Sequence, residues 1–453
     1  MDRLFKHPWF TAVYTAFTFL AACAVVHFQW EINGAILFAY IASFALICSS
    51  RLTDAMLPAM LLSVFVTKCY NSADTFLGKW PWMIPVALSI AAHFMIYREN
   101  YRKSFRVGST FPALCAVAVA VTLGGLGTIP LSDYFSWGSL FYVFGLGIGM
   151  VLFYLIVRAN FNEDHARDVC RILYVSGLLA CFCVINFYLQ DWETFLETQK
   201  FLHFQSQNNL STFLMLAMPF PMLYASRRYV DLTAVVLMYL CIILTASRGG
   251  FLMGTVEFFL ILTVFALRRK SPAALRILCG SLAAISLALL FAFFTKWMAF
   301  MGISVDGSNA TAASYLRALQ NFFFSKDQER ARLIYRMGED FCLNPLFGTG
   351  IGYTGNTDLY NPVKGAMNWY HMWFAQVVGG LGVVGILAYG YQLCNRAAVF
   401  IKNRRLETLV MLLSYLGLFL MSQVNPGEFC PMPYAALAVT YFAVMEESSA
   451  QKK

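Results

Sequence analysis

Residues 250–267 read GFLMGTVEFFLILTVFAL and contain one charged residue, Glu257. An α-helix needs roughly 20 mostly apolar residues to cross a hydrocarbon core of about 30 Å. A basic run at 268–270 follows the stretch directly. Because basic residues cluster at the cytoplasmic ends of membrane spans, this pattern predicts a transmembrane helix over 250–267 whose C-terminal end is cytoplasmic.

The same pattern recurs along the whole chain. Of its 453 residues, 59% are hydrophobic and 13% are charged, whereas a soluble domain carries about 25% charged residues. This composition excludes soluble, disordered and nucleic-acid-binding proteins. The sequence therefore predicts an all-α polytopic membrane protein with about 12–14 transmembrane helices, forming a single integral membrane domain over residues 1–453. The candidate spans are 10–29, 34–50, 55–70, 80–97, 108–129, 136–157, 172–189, 210–225, 229–246, 250–267, 277–295, 371–393, 406–423 and 431–445.

The cysteines do not indicate a metal or redox site. Most of the 12 lie inside apolar segments, and the chain has neither a CxxC motif nor a Cys/His cluster at ligand spacing. They are typical of small buried residues. No cofactor is expected.

The basic residues predict the orientation of the chain. With the N-terminus in the cytoplasm, 22 of the 33 Lys and Arg residues fall on the cytoplasmic side, including Arg396, as the positive-inside rule requires. Both termini are then cytoplasmic. Eight of the other 11 lie between Arg248 and Lys364 on the external side, where the rule does not explain them.

Residues 296–370 form the longest connection and are predicted to be an external loop. Within it, the segment from Asp327 to Asn344 has the pattern of an amphipathic helix. Its apolar side carries Leu333, Ile334, Met337 and Phe341, and its polar side carries Arg332, Arg336 and Glu339. Such a helix would either lie on the outer membrane surface or roof a cavity. Pro345 would end the helix, and a glycine-rich turn follows over 346–352.

The external arginines are candidates for anion binding. Arg248 begins the sequence Arg-Gly-Gly, and the guanidinium group presents a planar fork of donors that suits phosphate oxygens. The two glycines would allow a phosphate to approach the backbone and the start of the next helix. The alternative is that Arg248 extends to the membrane interface. The loop arginines Arg330, Arg332 and Arg336 would likewise either bind the anion or form a solvated face paired with acidic neighbours.

His371 is the candidate general base. It precedes the span that follows the loop, within Asn368-Trp-Tyr-His-Met-Trp-Phe374. Imidazole has an ordinary pKa of about 6.5, so its neutral form can accept a proton at physiological pH. The alternative is an interfacial histidine among aromatic residues.

Taken in order, these segments resemble the O-antigen ligase and polymerase family of bacterial membrane glycosyltransferases. The matching features are Ser247–Gly249, the arginine-bearing helix leading to Asn344–Gly352, and His371 followed by Gly382–Gly385. The similar region runs from about residue 210 to 385. The sequence departs from the family at Met372, where an asparagine usually follows the histidine.

The resemblance implies a fold like that of the type C membrane glycosyltransferases and a glycan donor on undecaprenyl diphosphate. It places the protein in the bacterial cytoplasmic membrane with an outward-facing active site. Because the external loop has no Asp-x-Asp motif, guanidinium groups are the available cations for the diphosphate. We expect Arg248 and Arg332 to hold it, with Arg330 and Arg336 as further candidates. His371 would deprotonate the acceptor hydroxyl in an inverting, metal-independent displacement.

Three functions remain open at this stage. A ligase would transfer the glycan to lipid A core or another cell-surface acceptor in lipopolysaccharide or polysaccharide biosynthesis. A polymerase would join lipid-linked repeat units. A lipid-linked oligosaccharide flippase is the alternative of another class; transporters carry ionisable residues near the membrane midplane, and Glu257 is the clearest such residue here.

Overall fold

The structure is a computed structural model that describes residues 2–66, 80–103, 107–128, 140–160, 165–191, 193, 207–224, 230–269, 271–282, 284–285, 328–351, 370–403, 405, 406–425, 427–429 and 432–450. The first helices are α1 (Asp2–Phe5), α2 (Pro8–His27), α3 (Glu31–Cys48), α4 (Leu52–Val66), α5 (Trp80–Ile96), α6 (Arg98–Lys103) and α7 (Thr110–Leu123). A π-helical segment (Leu140–Gly149) leads into α8 (Met150–Asn160), which is followed by α9 (His165–Gln190) and α10 (Gln207–Ala217). A 3-10 turn (Phe220–Leu223) precedes α11 (Val230–Leu244), α12 (Arg248–Arg269) and α13 (Pro272–Leu282). The last helices are α14 (Gln328–Leu343), α15 (Trp373–Lys402), α16 (Leu406–Ser422) and α17 (Met432–Ala450).

The described chain is all-helical, which confirms the predicted fold class of a polytopic membrane protein. Five helical stretches are long and apolar enough to cross a bilayer: α2, α8 with the preceding π-helical segment, α9, α12 and α15. Seven shorter apolar helices accompany them: α3, α4, α5, α7, α11, α13 and α16. All the predicted apolar segments overlap a described helix. Parts of several segments lie outside the described residues, including 67–70, 136–139 and 286–295. The number of crossings stays a prediction.

Helix α10 lies at the centre of the main core. It packs against α9, α11, α12 and α16, and every residue from Leu210 to Ala217 is buried. A helix that is apolar on all sides belongs in the interior of a helical protein. The polar residues Ser211 and Thr212 are accommodated because both hydroxyls donate to the carbonyl of Asn208, at 2.9 and 2.7 Å.

Arg396 is buried inside the protein and is not a loop cation. Its side chain forms an ion pair of 2.6 Å with Glu428, and its guanidinium lies over the rings of Tyr415 and Phe442, at 4.7 and 5.2 Å from the ring centroids. A buried charge requires such a partner because the transfer of an ion from water to the protein interior costs roughly several kcal/mol. Glu428 therefore neutralises Arg396 inside the protein, and the side of the membrane to which the sequence assigned Arg396 stays a prediction.

Candidate functional site

A break in α15 joins two of the sequence motifs. Gly382 has φ +59° and ψ −153°, which interrupts the helix and releases the carbonyls of Gly379 and Gly380 and the amides of Val383 and Val384 from their usual partners. The glycine-rich turn satisfies all four groups. Thr349 and Gly350 donate to the Gly379 and Gly380 carbonyls at 3.0 and 2.7 Å, and Val383 and Val384 donate to the Pro345 and Leu346 carbonyls at 2.8 and 3.2 Å. Irregular backbone is tolerated in a membrane protein only when its polar groups are satisfied in this way.

The other side of the turn is held by residues 125–128, which follow α7. The Asn344 side-chain amide donates to the Leu126 carbonyl and the Thr128 hydroxyl, both at 2.8 Å. The Gly125 amide donates to the Phe347 carbonyl at 2.9 Å. The turn is thus fixed between α7 and the break in α15, and it sets where α14 ends.

Helix α14 coincides with the amphipathic helix predicted over Asp327–Asn344. Its buried residue Leu333 and half-buried Met337 pack with Tyr370, Met372 and Ala375 at the start of α15. Ile334, which was assigned to the same apolar side, is 48% exposed. The helix therefore rests on α15 through a narrower face than the sequence pattern indicated.

The loop arginines have different surroundings. Arg332 is exposed on α14. Arg336 is half-buried and forms ion pairs with Asp340 (3.0 Å) and Glu339 (3.4 Å). The side chain of Arg330 lies outside the described part of the chain. Arg336 thus has acidic partners on its own helix, whereas Arg332 faces outward one turn earlier.

Tyr370 and Asp340 connect α14 to the residue before the candidate base. The Tyr370 hydroxyl donates to the Asp340 carboxylate, and the Tyr370 amide donates to the Gln376 side-chain oxygen at 3.2 Å. Burial and the adjacent Asp340 carboxylate raise the pKa of the Tyr370 phenol, so the hydroxyl remains a donor. Sequence reasoning missed both residues. The spacing of Arg336 and Asp340, one helical turn apart, was the available signal.

His371 adopts a left-handed backbone conformation directly before α15. Its φ is +52° and its side chain is half-buried. This conformation costs a residue with a Cβ about 1–3 kcal/mol and concentrates at functional sites. Ala246, two residues before Arg248, has φ +56°. Strained backbone therefore occurs beside both of the segments singled out in the sequence.

Arg248 begins α12, and Ser247 caps this helix. The Ser247 hydroxyl accepts from the Gly250 amide at 3.1 Å and donates to the Asn208 side-chain oxygen at 2.7 Å. Asn208 is a further site-adjacent residue that the sequence did not reveal. The exposed Arg248 side chain extends from the N-terminus of α12, which Ser247 caps.

The two glycines after Arg248 serve helix packing. A Cβ at Gly249 would lie 2.8 Å from the Val424 side chain, and a Cβ at Gly250 would lie 2.5 Å from that of Ser211. The side-chain positions of both glycines are thus occupied by protein. Both glycines therefore allow close packing against Ser211 and Val424, and their role in the approach of a phosphate stays a prediction.

The segments of Arg248 and His371 converge on one end of α16. Gly249 is next to Val424, just after α16 ends, and the ring of Trp373 lies 5.4 Å from that of Phe419 in the last turn of α16. Helix α14 joins this group through the contact between Asp340 and Tyr370. The tertiary structure thus gathers three segments that are far apart in the sequence.

Residues 233–390 match the family model described as O-antigen ligase. The chain carries a domain of the O-antigen ligase family. The matched region begins in α11, ends in α15 and includes Arg248, the loop arginines and His371, which confirms the resemblance stated from the motifs. A domain of this family, together with the apolar helices, is typical of a multi-pass bacterial membrane protein of the glycosyltransferase type. Comparison with curated proteins gives no significant match.

Proposed function

We propose that the protein is an O-antigen ligase-like glycosyltransferase. It transfers a glycan from an undecaprenyl-diphosphate donor to an acceptor hydroxyl, on lipid A core or another cell-surface acceptor, at the outer face of the cytoplasmic membrane. The observation that carries the proposal is the convergence of the Arg248 and His371 segments at the end of α16 within the region that matches the family.

In the proposed reaction, Arg248 and Arg332 bind the diphosphate. Transfer makes the undecaprenyl diphosphate a leaving group, and fixed guanidinium groups stabilise the charge that it gains as the glycosidic bond breaks. Arg330 is a further candidate for phosphate contact. Arg336 is a weaker one, because Asp340 and Glu339 already neutralise its charge.

His371 acts as the general base. As the acceptor oxygen attacks the anomeric carbon, the imidazole takes the hydroxyl proton and the carbon–oxygen bond to the diphosphate breaks, which inverts the anomeric centre. The left-handed backbone at His371 supports this role, since strain is retained where the surrounding structure enforces a functional geometry.

The test is glycan transfer by the purified full-length protein in nanodiscs, with an undecaprenyl-diphosphate glycan as donor. We expect transfer without a membrane gradient or a sealed compartment, and a loss of about 10²–10⁴-fold in His371→Ala. His7→Ala is the matched control because His7 lies at the opposite, N-terminal end of the chain. Full activity of His371→Ala would overturn the base assignment.

The products distinguish the remaining functions. Transfer to lipid A core identifies a ligase, and extension of one lipid-linked glycan by another identifies a polymerase. If no transfer occurs in nanodiscs but lipid-linked glycan crosses the bilayer of proteoliposomes, the protein is a flippase and the proposed function is wrong.

A further inference from the structure

We infer that Asp340 and Tyr370 form a latch that positions His371 for catalysis; this inference rests on the proposed function. Tyr370 directly precedes His371, and its hydroxyl donates to Asp340 on α14. Both residues are buried: Tyr370 is 7% exposed and Asp340 is 3% exposed. The latch therefore ties the residue before the base to the helix that carries Arg332.

The Tyr370 side chain and backbone are held at separate points. The Tyr370 backbone amide donates to the Gln376 side-chain oxygen at 3.2 Å. Gln376 is itself fixed because its backbone amide donates to the Met372 carbonyl at 2.9 Å. The phenol lies against Gly379, where a Cβ would come within 2.7 Å of the hydroxyl oxygen. Tyr370 thus has little freedom, and the position of the following backbone is determined by it.

The latch also supports the strained conformation at His371. A left-handed residue with a Cβ returns to an ordinary conformation unless its neighbours on both sides are held. Tyr370 is held by Asp340 and Gln376. Met372 occupies the N-cap position of α15, where its carbonyl accepts from the Gln376 backbone amide at 2.9 Å. Releasing the Tyr370 hydroxyl would loosen the first of these two supports.

Arg336 keeps the acceptor of the latch in place. Its Nε lies 3.0 Å from an Asp340 carboxylate oxygen, which supplies the opposite charge that a buried carboxylate needs. Arg332 lies two helical turns before Asp340, about 12 Å along the α14 axis. The latch consequently sets the spacing between the proposed diphosphate contact and the proposed base.

Tyr370→Phe tests the latch by removing one oxygen. We expect the kcat for glycan transfer to fall about 10- to 100-fold, because the base is displaced from the acceptor hydroxyl, while the KM for the donor stays unchanged. Tyr335→Phe is the matched control, since Tyr335 is 79% exposed on α14, and it should behave as the native protein. Hydrogen exchange of residues 370–376 should accelerate in Tyr370→Phe alone.

A double variant separates positioning from general stability. In a His371→Ala background, measured with excess enzyme, Tyr370→Phe should have no further effect on the residual rate, because Tyr370 acts through His371. An equal loss in both backgrounds would show a merely structural role. If Tyr370→Phe does not fold, Asp340→Ala serves instead, because it removes the acceptor of the Tyr370 hydroxyl, and the same comparison applies.

The outcomes distinguish the latch from the function. If His371→Ala keeps full activity, the base assignment in the proposed function is wrong. If His371→Ala is inactive and Tyr370→Phe has the native kcat, the function stands and the latch is wrong.

Discussion

Arg332 and Arg336 lie one turn apart on α14 and have different environments. Arg332 is exposed, while Arg336 is paired with Asp340 and Glu339. The sequence treats the two as equivalent members of one basic face. Their chemistry differs because a guanidinium that already binds two carboxylates has less charge to offer a diphosphate. Arg332 is therefore the better candidate for substrate contact, and Arg336 for holding Asp340.

Replacing the two arginines should have different consequences. We expect Arg332→Ala to lower kcat/KM for the donor more than about tenfold, the scale of one lost charge-assisted contact, without changing the melting temperature. Arg336→Ala should lower the melting temperature because Asp340 is left buried without its counter-charge.

The check is transfer kinetics and thermal unfolding of both variants in the same detergent. The double variant Arg336→Ala/Asp340→Asn should recover part of the lost stability, since it removes both charges. A native kcat/KM in Arg332→Ala would exclude Arg332 as a diphosphate ligand.

At the scale of the helices, the break in α15 and the glycine-rich turn form one unit. The turn supplies two donors and two acceptors for the four backbone groups released at Gly382. Gly348 and Gly382 both have positive φ, and a Cβ at either would lie 2.5 Å from backbone atoms of the other segment. Only glycine fits at these two positions. This unit fixes the orientation of α14 relative to the start of α15.

Gly382→Ala should strongly destabilise the protein. The left-handed conformation costs about 1–3 kcal/mol with a Cβ, and the overlap with the Pro345 carbonyl adds to this cost. Gly390→Ala is the matched control in α15, since nothing lies within 4 Å of its Cβ position, and it should be neutral or stabilising by about 0.5–1 kcal/mol. Melting temperatures in detergent measure the difference. Equal values for the two variants would contradict the view that the glycine-rich turn and the break at Gly382 form one structural unit.

At the scale of the whole molecule, the buried charged residues Arg396 and Glu257 have different surroundings. Arg396 is neutralised by Glu428 at 2.6 Å. Glu257 is fully buried in α12, and among the described residues neither of its oxygens has a hydrogen-bond partner. Its oxygens instead lie close to Gly417, where a Cβ would come within 2.3 Å. Glu257 is therefore packed between α12 and α16.

Glu257→Gln distinguishes the enzyme from the flippase at this scale. The substitution removes the ionisable group and keeps the side-chain volume, so we expect native transfer activity in nanodiscs. A transporter that uses a midplane carboxylate would lose lipid translocation with this variant. The measurements are glycan transfer in nanodiscs and translocation in proteoliposomes. Gln392→Glu is the comparison variant, because it adds a carboxylate at another buried position. Loss of transfer in folded Glu257→Gln would contradict a purely packing role.

The local pattern of the sequence determined the fold class, the position of α14 and the three motif segments, because hydrophobic length and helical periodicity depend on neighbouring residues alone. It also marked Arg248, Arg332 and His371 as chemically suitable groups. It identified neither Asp340 nor Tyr370, whose importance depends on a contact between residues 30 positions apart.

Only the tertiary structure decided which arginine is neutralised, why Gly249 and Gly250 are small, and that Arg396 is buried. Each of these depends on what occupies the space beside a side chain, and that neighbour comes from another helix. The break at Gly382 shows the same dependence. A glycine in an apolar span permits a break, but the break persists because the turn from Pro345 to Gly350 satisfies the backbone groups that it releases.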